Sequence, residues 1–486
     1  MHKLKRICII VATLLFAFTT PANFSAAQPP EVHATAHILV ELESGRVISE
    51  YQAHRRMFPA ATTRILTAIL AYEHIGMDEI IIAGNEVHSL PHGSARNWHE
   101  VGEAITGANL LRGMLIGNGN DTANIVAIEV ARRATDNPNI SFANAQVAFS
   151  NLMTQRAAEL GALDSRFVNP HGYHHDSHFT TAYDMAQISR HALSIPALAQ
   201  VLASPGFSGP MAGDGEIPEG TIQLNRGWTS PNELLHEGGE HFYPYAIGLR
   251  TGATSQAGES LAGAATRNGI TLVSVTFNSP EIELEVDGEV IYAPTRWQDN
   301  INLFEFGFAN FANRVFLEAG AVVGELPIYD PRIDDDGYLD FFALAQGMMF
   351  LSDAEMALLQ RSIEFVPDVV TYAEQYDEAQ GESLGEILMF VAPIYEGDAI
   401  GTISYYLDGE VVFSAIIYAS RYVPIRTAVS DIEIRMERIH QIFFTAGAIP
   451  YWIAAVSVLT LITVLVILAR RSIKRKRSNY KYKWKY

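Results

Sequence analysis

The stretch Phe58-Pro-Ala-Ala-Thr-Thr-Arg-Ile-Leu-Thr67 decides how this chain is read. Apolar residues recur at helical spacing from 62 to 75, so a helix opens here. Before it, residues 34–43 (ATAHILVELE) alternate apolar and polar, and Ser44-Gly45 turns the chain into Val47-Ile48. That pattern predicts a strand and a hairpin. After it, residues 108–133, 141–160 and 181–203 carry helical spacing, whereas 246–249, 260–265 and 270–277 (ITLVSVTF) read as strands. A helix over 299–312 closes the unit. Strands, then a helical block, then strands again predict an α+β fold with helices packed on a mainly antiparallel sheet. This first domain is expected over 28–318.

Beyond it the pattern changes to short strands and turns. Asp334-Asp335-Asp336-Gly337, Pro393 and Glu396-Gly397 punctuate the chain, and 399–419 reads as a hairpin around Asp408-Gly409. A small β-rich domain is expected over 319–428 and an amphipathic juxtamembrane helix over 429–449. Pro450–Ala469 is 20 residues without a charge, enough to cross a bilayer. Tyr451 and Trp452 stand at its start, and Arg470, Arg471, Lys474, Arg475, Lys476 and Arg477 follow its end. The positive flank places the tail, 470–486, in the cytoplasm and the bulk of the chain outside. At the other end, Lys3, Lys5 and Arg6 precede an apolar run, Ile7 to Phe18, and the small residues Ser25-Ala26-Ala27. Residues 1–27 are thus expected to be a secretory signal cleaved after Ala27. The only cysteine, Cys8, lies inside it, which leaves the mature chain without disulfide or thiol chemistry.

Charge is partitioned along the chain. Residues 28–448 hold 22 basic residues, all arginine, against all 54 acids, a formal charge of −32. Such a surface repels nucleic acid and anionic lipid headgroups. Lysine is absent between positions 6 and 473.

Four stretches, in order, resemble the serine-type D-alanyl-D-alanine carboxypeptidases, the low-molecular-mass penicillin-binding proteins of the β-lactamase-like transpeptidase family. Phe58–Thr67 is similar to the helix-opening segment that carries Ser-x-x-Lys. Leu115-Ile-Gly-Asn-Gly-Asn-Asp-Thr-Ala-Asn124 is similar to the Ser-Gly-Asn-Asp segment. Asn169-Pro-His-Gly172 with Thr181-Ala-Tyr-Asp184 resembles a loop and helix of the same family. Ile247-Gly-Leu-Arg-Thr-Gly252, with Ala257-Gly258 and Arg267-Asn-Gly269, resembles the Lys-Thr-Gly strand and its hairpin. Val391-Ala-Pro-Ile394 and Asp398-Ala-Ile-Gly401 resemble the family's β-rich C-terminal domain. The match covers roughly 30–425. The resemblance implies a bacterial, cofactor-free protein of cell-wall metabolism that meets a peptidoglycan stem peptide ending in D-Ala-D-Ala.

In that family a serine attacks the penultimate D-Ala carbonyl and a lysine one helical turn on takes its proton. A second serine relays protons, and the Lys-Thr pair of the last motif holds the terminal carboxylate. Here the resemblance puts Ala61 at the nucleophile, Arg64 at the base and Asn118 at the relay serine, with Asn120 as the motif's asparagine. Arg250, Thr251 and Gly252 stand in the carboxylate-holding strand. Alanine has no nucleophile, and a guanidinium, with pKa above about 12, is no base at neutral pH. Arg250 keeps the positive charge and can clamp a carboxylate. The hydroxyls of Thr62 and Thr63 are turned about 100° and 200° away from position 61 around a helix, and their i+3 neighbours are Ile65 and Leu66. The reading is a stem-peptide-binding pseudoenzyme with no intact catalytic residue. Two others stand beside it: an active carboxypeptidase with an unorthodox centre, and a membrane-tethered interaction protein with a vestigial cleft.

Three further features bear on ligand binding. His171, His174, His175 and His178 crowd one loop with Asp176, but their spacing matches no closed zinc pattern, so a polar surface loop is expected and no metal. Asp334-Asp335-Asp336-Gly337 opens like a calcium loop without its closing glutamate, so a solvated turn is expected. Gly117, Gly119 and Gly252 are expected to permit close backbone approach, since nothing here has the spacing of a phosphate loop.

Overall fold

The computed structural model describes residues 29–480 apart from 214–215, 287–288, 378–381 and 445–448. The expected signal segment 1–27 and residues 481–486 of the basic tail lie outside the described residues. The chain forms two compact units. One runs through Arg314 and takes back Met349–Ala354, and the other holds Val315–Met348 and the chain from Glu355 onward.

The first unit is built on strands β1 (Ala36–Glu41), β2 (Val47–Tyr51), β3 (Ala246–Thr254), β4 (Gly258–Arg267) and β5 (Ile270–Ser279). They form one antiparallel sheet in the order β2-β1-β5-β4-β3. Successive side chains of a strand point to opposite faces, and both faces here are covered. Ile38, Val40, Ala262, Ala264, Val273, Val275 and Phe277 point into one core. That core is shared with α1 (Arg64–His74), α2 (Gly107–Leu115), α3 (Asn120–Ala134), α4 (Phe142–Glu159), α5 (Ala182–Ser194) and α6 (Pro196–Leu202). Leu39, Leu261, Ala265 and Leu272 point the other way, against α7 (Arg296–Asn310) with its buried Trp297, Leu303 and Phe304. The α+β expectation therefore holds, strand by strand.

Two helices expected to be continuous are broken. The 108–133 pattern becomes α2 and α3, separated at Ile116–Gly119, where Asn118 adopts φ +60°. The 181–203 pattern becomes α5 and α6, because Pro196 forces Ile195 into an extended conformation (φ −96°, ψ 108°). Apolar periodicity runs through both breaks, which is why it hides them.

The second unit holds β6 (Ala321–Pro327), β7 (Tyr338–Ala343), β8 (Gln360–Phe365), β9 (Ala399–Leu407) and β10 (Glu410–Ala419) in one sheet, ordered β6-β7-β10-β9-β8. Leu339, Phe341, Phe390, Ile400, Ile403 and Ile417 form its core. The β9–β10 hairpin turns on Asp408 and Gly409, both at positive φ (52° and 83°), the two-residue turn that matches strand twist. The Asp334–Gly337 turn is held by arginine: Arg421 reaches Asp335 and Asp336 at 2.7 Å, and Arg332 reaches Asp334 at 3.1 Å. Helices α8 (Ala428–Phe444) and α9 (Ile449–Tyr480) end the described chain. Over Ile449–Ser472, α9 is long and apolar enough to cross a membrane, the one such helix among the described residues.

Phe304 is fully buried and stacks on Tyr243 with ring centres 5.8 Å apart. Truncation to alanine leaves a cavity the packed sheet cannot close. Phe304→Ala is expected to cost about 3–5 kcal/mol, read as a lowered denaturant midpoint of the first unit.

Candidate active site

The site begins with the turn that precedes α1. Ala60–Thr63 is a single turn of 3-10 helix, and Ala60 takes φ +48°. Two glycines hold it from either side. Gly172, at φ +79°, lies so close that a Cβ there would run into the Ala60 carbonyl and stand 2.9 Å from Thr63 Oγ1. A Cβ on Gly252 would stand 2.6 Å from the Ala61 amide nitrogen. Only a residue without a side chain permits either approach. This is the physical content of the glycines that close Asn-Pro-His-Gly and Arg-Thr-Gly. It sets Ala61 against strand β3 at the wall of a cleft of about 990 Å³.

Arg64 follows one turn on, 2% exposed, and also lines the cleft. Its Nη1 donates to Asn118 Oδ1 and, at 3.5 Å, to the Met114 carbonyl, and its Nη2 donates to Asn120 Oδ1. From β3, Arg250, also 2% exposed, donates from Nη1 to the Leu115 carbonyl at 2.8 Å and from Nη2 to the same Asn118 Oδ1. The left-handed backbone of Asn118, tolerated by asparagine, carries that one oxygen to both cations. Gly117 and Gly119 beside it pack on Asn97, whose side chain a Cβ at Gly117 would meet at 2.7 Å. The structure thus brings Ala61, Arg64, Asn118, Asn120, Arg250, Thr251 and Gly252 to one cleft. Thr251 donates its hydroxyl to the Ser260 carbonyl at 3.0 Å.

Burial lowers Arg64 to about 10, opposed in part by Asp121, so it stays charged at neutral pH and has no proton-accepting form there. Arg250 is lowered as well, by burial first and then by the charge of Arg64. Among the described residues neither has a carboxylate within ion-pair distance, and the Nε of each is buried without a partner.

The neighbouring hydroxyls offer no substitute. Thr62 donates to the Pro59 carbonyl at 2.6 Å. Thr63, fully buried, meets His178 Nε2 at 2.9 Å, which resembles a nucleophile–base pair. However, His178 Nδ1 accepts from the Val168 amide at 3.1 Å. Nε2 therefore carries the ring's proton and donates it to Thr63. Burial, followed by His175 and His174, lowers His178 to about 3, so it takes no second proton near neutrality.

The histidine loop divides. His171 and His174 line the cleft, and His171 is lowered to about 3 by burial, Arg64 and His178. His171 Nδ1 accepts from the Tyr173 amide and His175 Nδ1 from the Ser177 amide. No three His, Cys, Asp or Glu side chains converge among the described residues.

One buried network went unseen in the sequence. His99 Nδ1 pairs with Glu103 Oε2 at 3.0 Å and His99 Nε2 with Thr122 Oγ1 at 2.9 Å. Arg226 binds Glu103 at 2.7 Å and the carbonyls of Asn97 and Trp98. Although this has the order of a catalytic triad, Thr122 is 0% exposed, so the group holds the 95–99 segment against α3 and the Asn118 loop.

Residues 23–281 match the family described as D-alanyl-D-alanine carboxypeptidase, over half of the chain. The chain belongs to that family. D-alanyl-D-alanine carboxypeptidase DacF of Bacillus subtilis is 22% identical over 421 residues, spanning 85% of this chain and 92% of its own. DacB2 of Mycobacterium tuberculosis is 29% identical over 282 residues, 58% of this chain and 84% of its own. The fold is that of penicillin binding protein 5 from Haemophilus influenzae (TM-score 0.52, 22% identity, 82% of this chain and 99% of that one). It is likewise that of DacD from Francisella tularensis (TM-score 0.56, 19% identity, 83% and 96%). This is thus a carboxypeptidase-family protein of cell-wall metabolism, with a C-terminal helix suited to a membrane.

The Glu103 network makes a checkable statement about this family member. Burial pushes Glu103 up, yet hydrogen bonds from His99 and Arg226 outweigh it and hold the carboxyl at about 2, below the ordinary 4.5. A depressed carboxyl contributes stability that is fully present above the unfolded value and is lost as pH falls toward the folded one. Unfolding free energy should therefore drop between about pH 4.5 and 2, and Glu103→Gln should flatten that acid limb. Unfolding midpoints measured across that range check it.

Proposed function

We propose that this chain is a membrane-anchored carboxypeptidase relative that binds peptidoglycan stem peptides without cleaving them. The observation that carries the reading is the pair at 61 and 64, a methyl where the family attacks and a buried guanidinium where it needs a base. Covalent catalysis needs both roles, and loss of either removes orders of magnitude in rate, roughly 10³ to 10⁶. No lysine lies between positions 6 and 473 to rebuild the pair. His178 holds the wrong tautomer to take a proton from Thr63, and neither residue lines the cleft.

What remains suits binding. Arg250 supplies a planar guanidinium fork that suits a carboxylate. Thr251 and the backbone of β3 give an extended peptide an edge to lie along, and Asn120 holds Arg64 in place. The expected signal over 1–27, the apolar helix and the basic residues behind it support a cleft on the outer side of the membrane, tethered near the wall.

Fluorescent penicillin tests the reading, since acylation reports a working nucleophile and base together. The full-length protein in detergent should take no label. A variant carrying Ala61→Ser, Arg64→Lys and Asn118→Ser should take label, at a small fraction of the rate of an active carboxypeptidase. Label on the natural protein would restore the reading of an active enzyme with an unorthodox centre.

A further inference from the structure

The cleft wall holds two cations where one suffices to read a C-terminus. Arg64 and Arg250 are each 2% exposed, both line the cleft, and both donate to the same Asn118 oxygen. Among the described residues no carboxylate forms an ion pair with either one, although the charge of Asp121 favours the charged form of Arg64. The nearby acids are used elsewhere: Asp121 accepts the amides of Asn97 and His99, and Glu259 pairs with Arg296. Glu233 lines the cleft but pairs with His241, at 3.7 Å. A buried charge left without a counterion is strongly destabilising. A guanidinium has five N–H donors; Arg64 gives three hydrogen bonds to the protein and Arg250 two. Donors are left over, and these groups call for an anion.

The position of the second cation identifies the anion. Residue 61 marks the carbonyl that the family attacks, and Arg64 lies one helical turn from it. In an uncleaved peptide that carbonyl belongs to a neutral amide, and the carboxylate lies one residue further on, about 3.5 Å along the chain. Once the last residue has been removed, the carboxylate stands at the former amide. Hydrogen bonds to a charged oxygen are roughly twice as strong as those to a neutral one.

Building on the stem-peptide reading above, we propose that the cleft selects peptides already trimmed to a single terminal D-alanine. The new carboxylate is seated between Arg64 and Arg250 beside the Ala61 methyl. The chain is then a reader of carboxypeptidase product, and an active hydrolase that releases terminal D-alanine must supply its ligand.

Calorimetry on the full-length protein in detergent, with three synthetic stem peptides, tests this: the tetrapeptide with free carboxylate, the D-Ala-D-Ala pentapeptide and the tetrapeptide amide. The tetrapeptide should bind at least about tenfold tighter than the pentapeptide, a 1.4 kcal/mol difference, and the amide weakest of the three. Pentapeptide binding as tight or tighter overturns product selection and leaves the stem-peptide reading standing. No binding of any of the three overturns both. Arg64→Gln should bring the tetrapeptide-to-pentapeptide ratio to about one, and an unchanged ratio in the folded variant overturns the role of Arg64. Should that variant not fold, the three-peptide comparison on the natural protein decides alone.

Discussion

Everything in the cleft is referred to one constraint, the backbone contact of Gly172 and Gly252 with the Ala60–Thr63 turn. The turn is fixed between a loop and a strand with no space for a methyl group on either side. Once it is fixed, Ala61 faces β3 and Arg64 starts α1 pointing at the α2–α3 junction. None of this depends on the chemical nature of residues 61 and 64. The scaffold therefore accommodates a methyl and a guanidinium at these two positions, where the resemblance implies a hydroxyl and an amine.

The electrostatics follow from that geometry. Two cations that share one amide oxygen lie within about 6 Å of each other by hydrogen-bond lengths. At an effective dielectric near 20 they repel by roughly 3 kcal/mol. Offsetting this are the carbonyls of Met114 and Leu115, the side-chain oxygens of Asn118 and Asn120, and the charge of Asp121. Arginine suits this surrounding better than lysine. Its planar fork reaches Asn118 and Asn120 at once, and an ammonium, more strongly hydrated, is more costly to bury.

Most of the sheet and the location of the cleft were legible in the sequence. β1 and β5 are short runs rich in apolar and β-branched residues, as strands buried on both faces are, and the Asp408-Gly409 turn names its own conformation. The glycines mark close approach because no other residue allows it. Other parts were hidden for physical reasons. Periodicity reports which face of a helix is buried, not where its axis breaks, so Ile116–Gly119 and Ile195-Pro196 were read through. His99 and Glu103 stand four apart, the spacing of a helix pair, yet they lie on irregular chain and find Thr122 and Arg226 only in three dimensions. Met349–Ala354 returns to the first unit through packing such as Phe311 against Phe350, centres 5.7 Å apart, and no local signal announces it.

The shared oxygen of Asn118 also decides how these substitutions act together. Residues that bond through one atom are not independent, and their effects do not add. A serine at 61 alone would face a guanidinium already turned toward Asn118 and Asn120, with no group to take its proton. A lysine at 64 alone would leave Asn118 bonded to Arg250 and still find no hydroxyl to activate. A serine at 118 alone would remove the acceptor that holds both arginines and leave two buried cations closer to open repulsion. On the proposed reading, each single step toward a working centre is thus inert or destabilising, whereas the present set is mutually hydrogen-bonded. The cleft is held by its own polar contacts, and under the proposed function those contacts favour a negatively charged occupant over a reactive one.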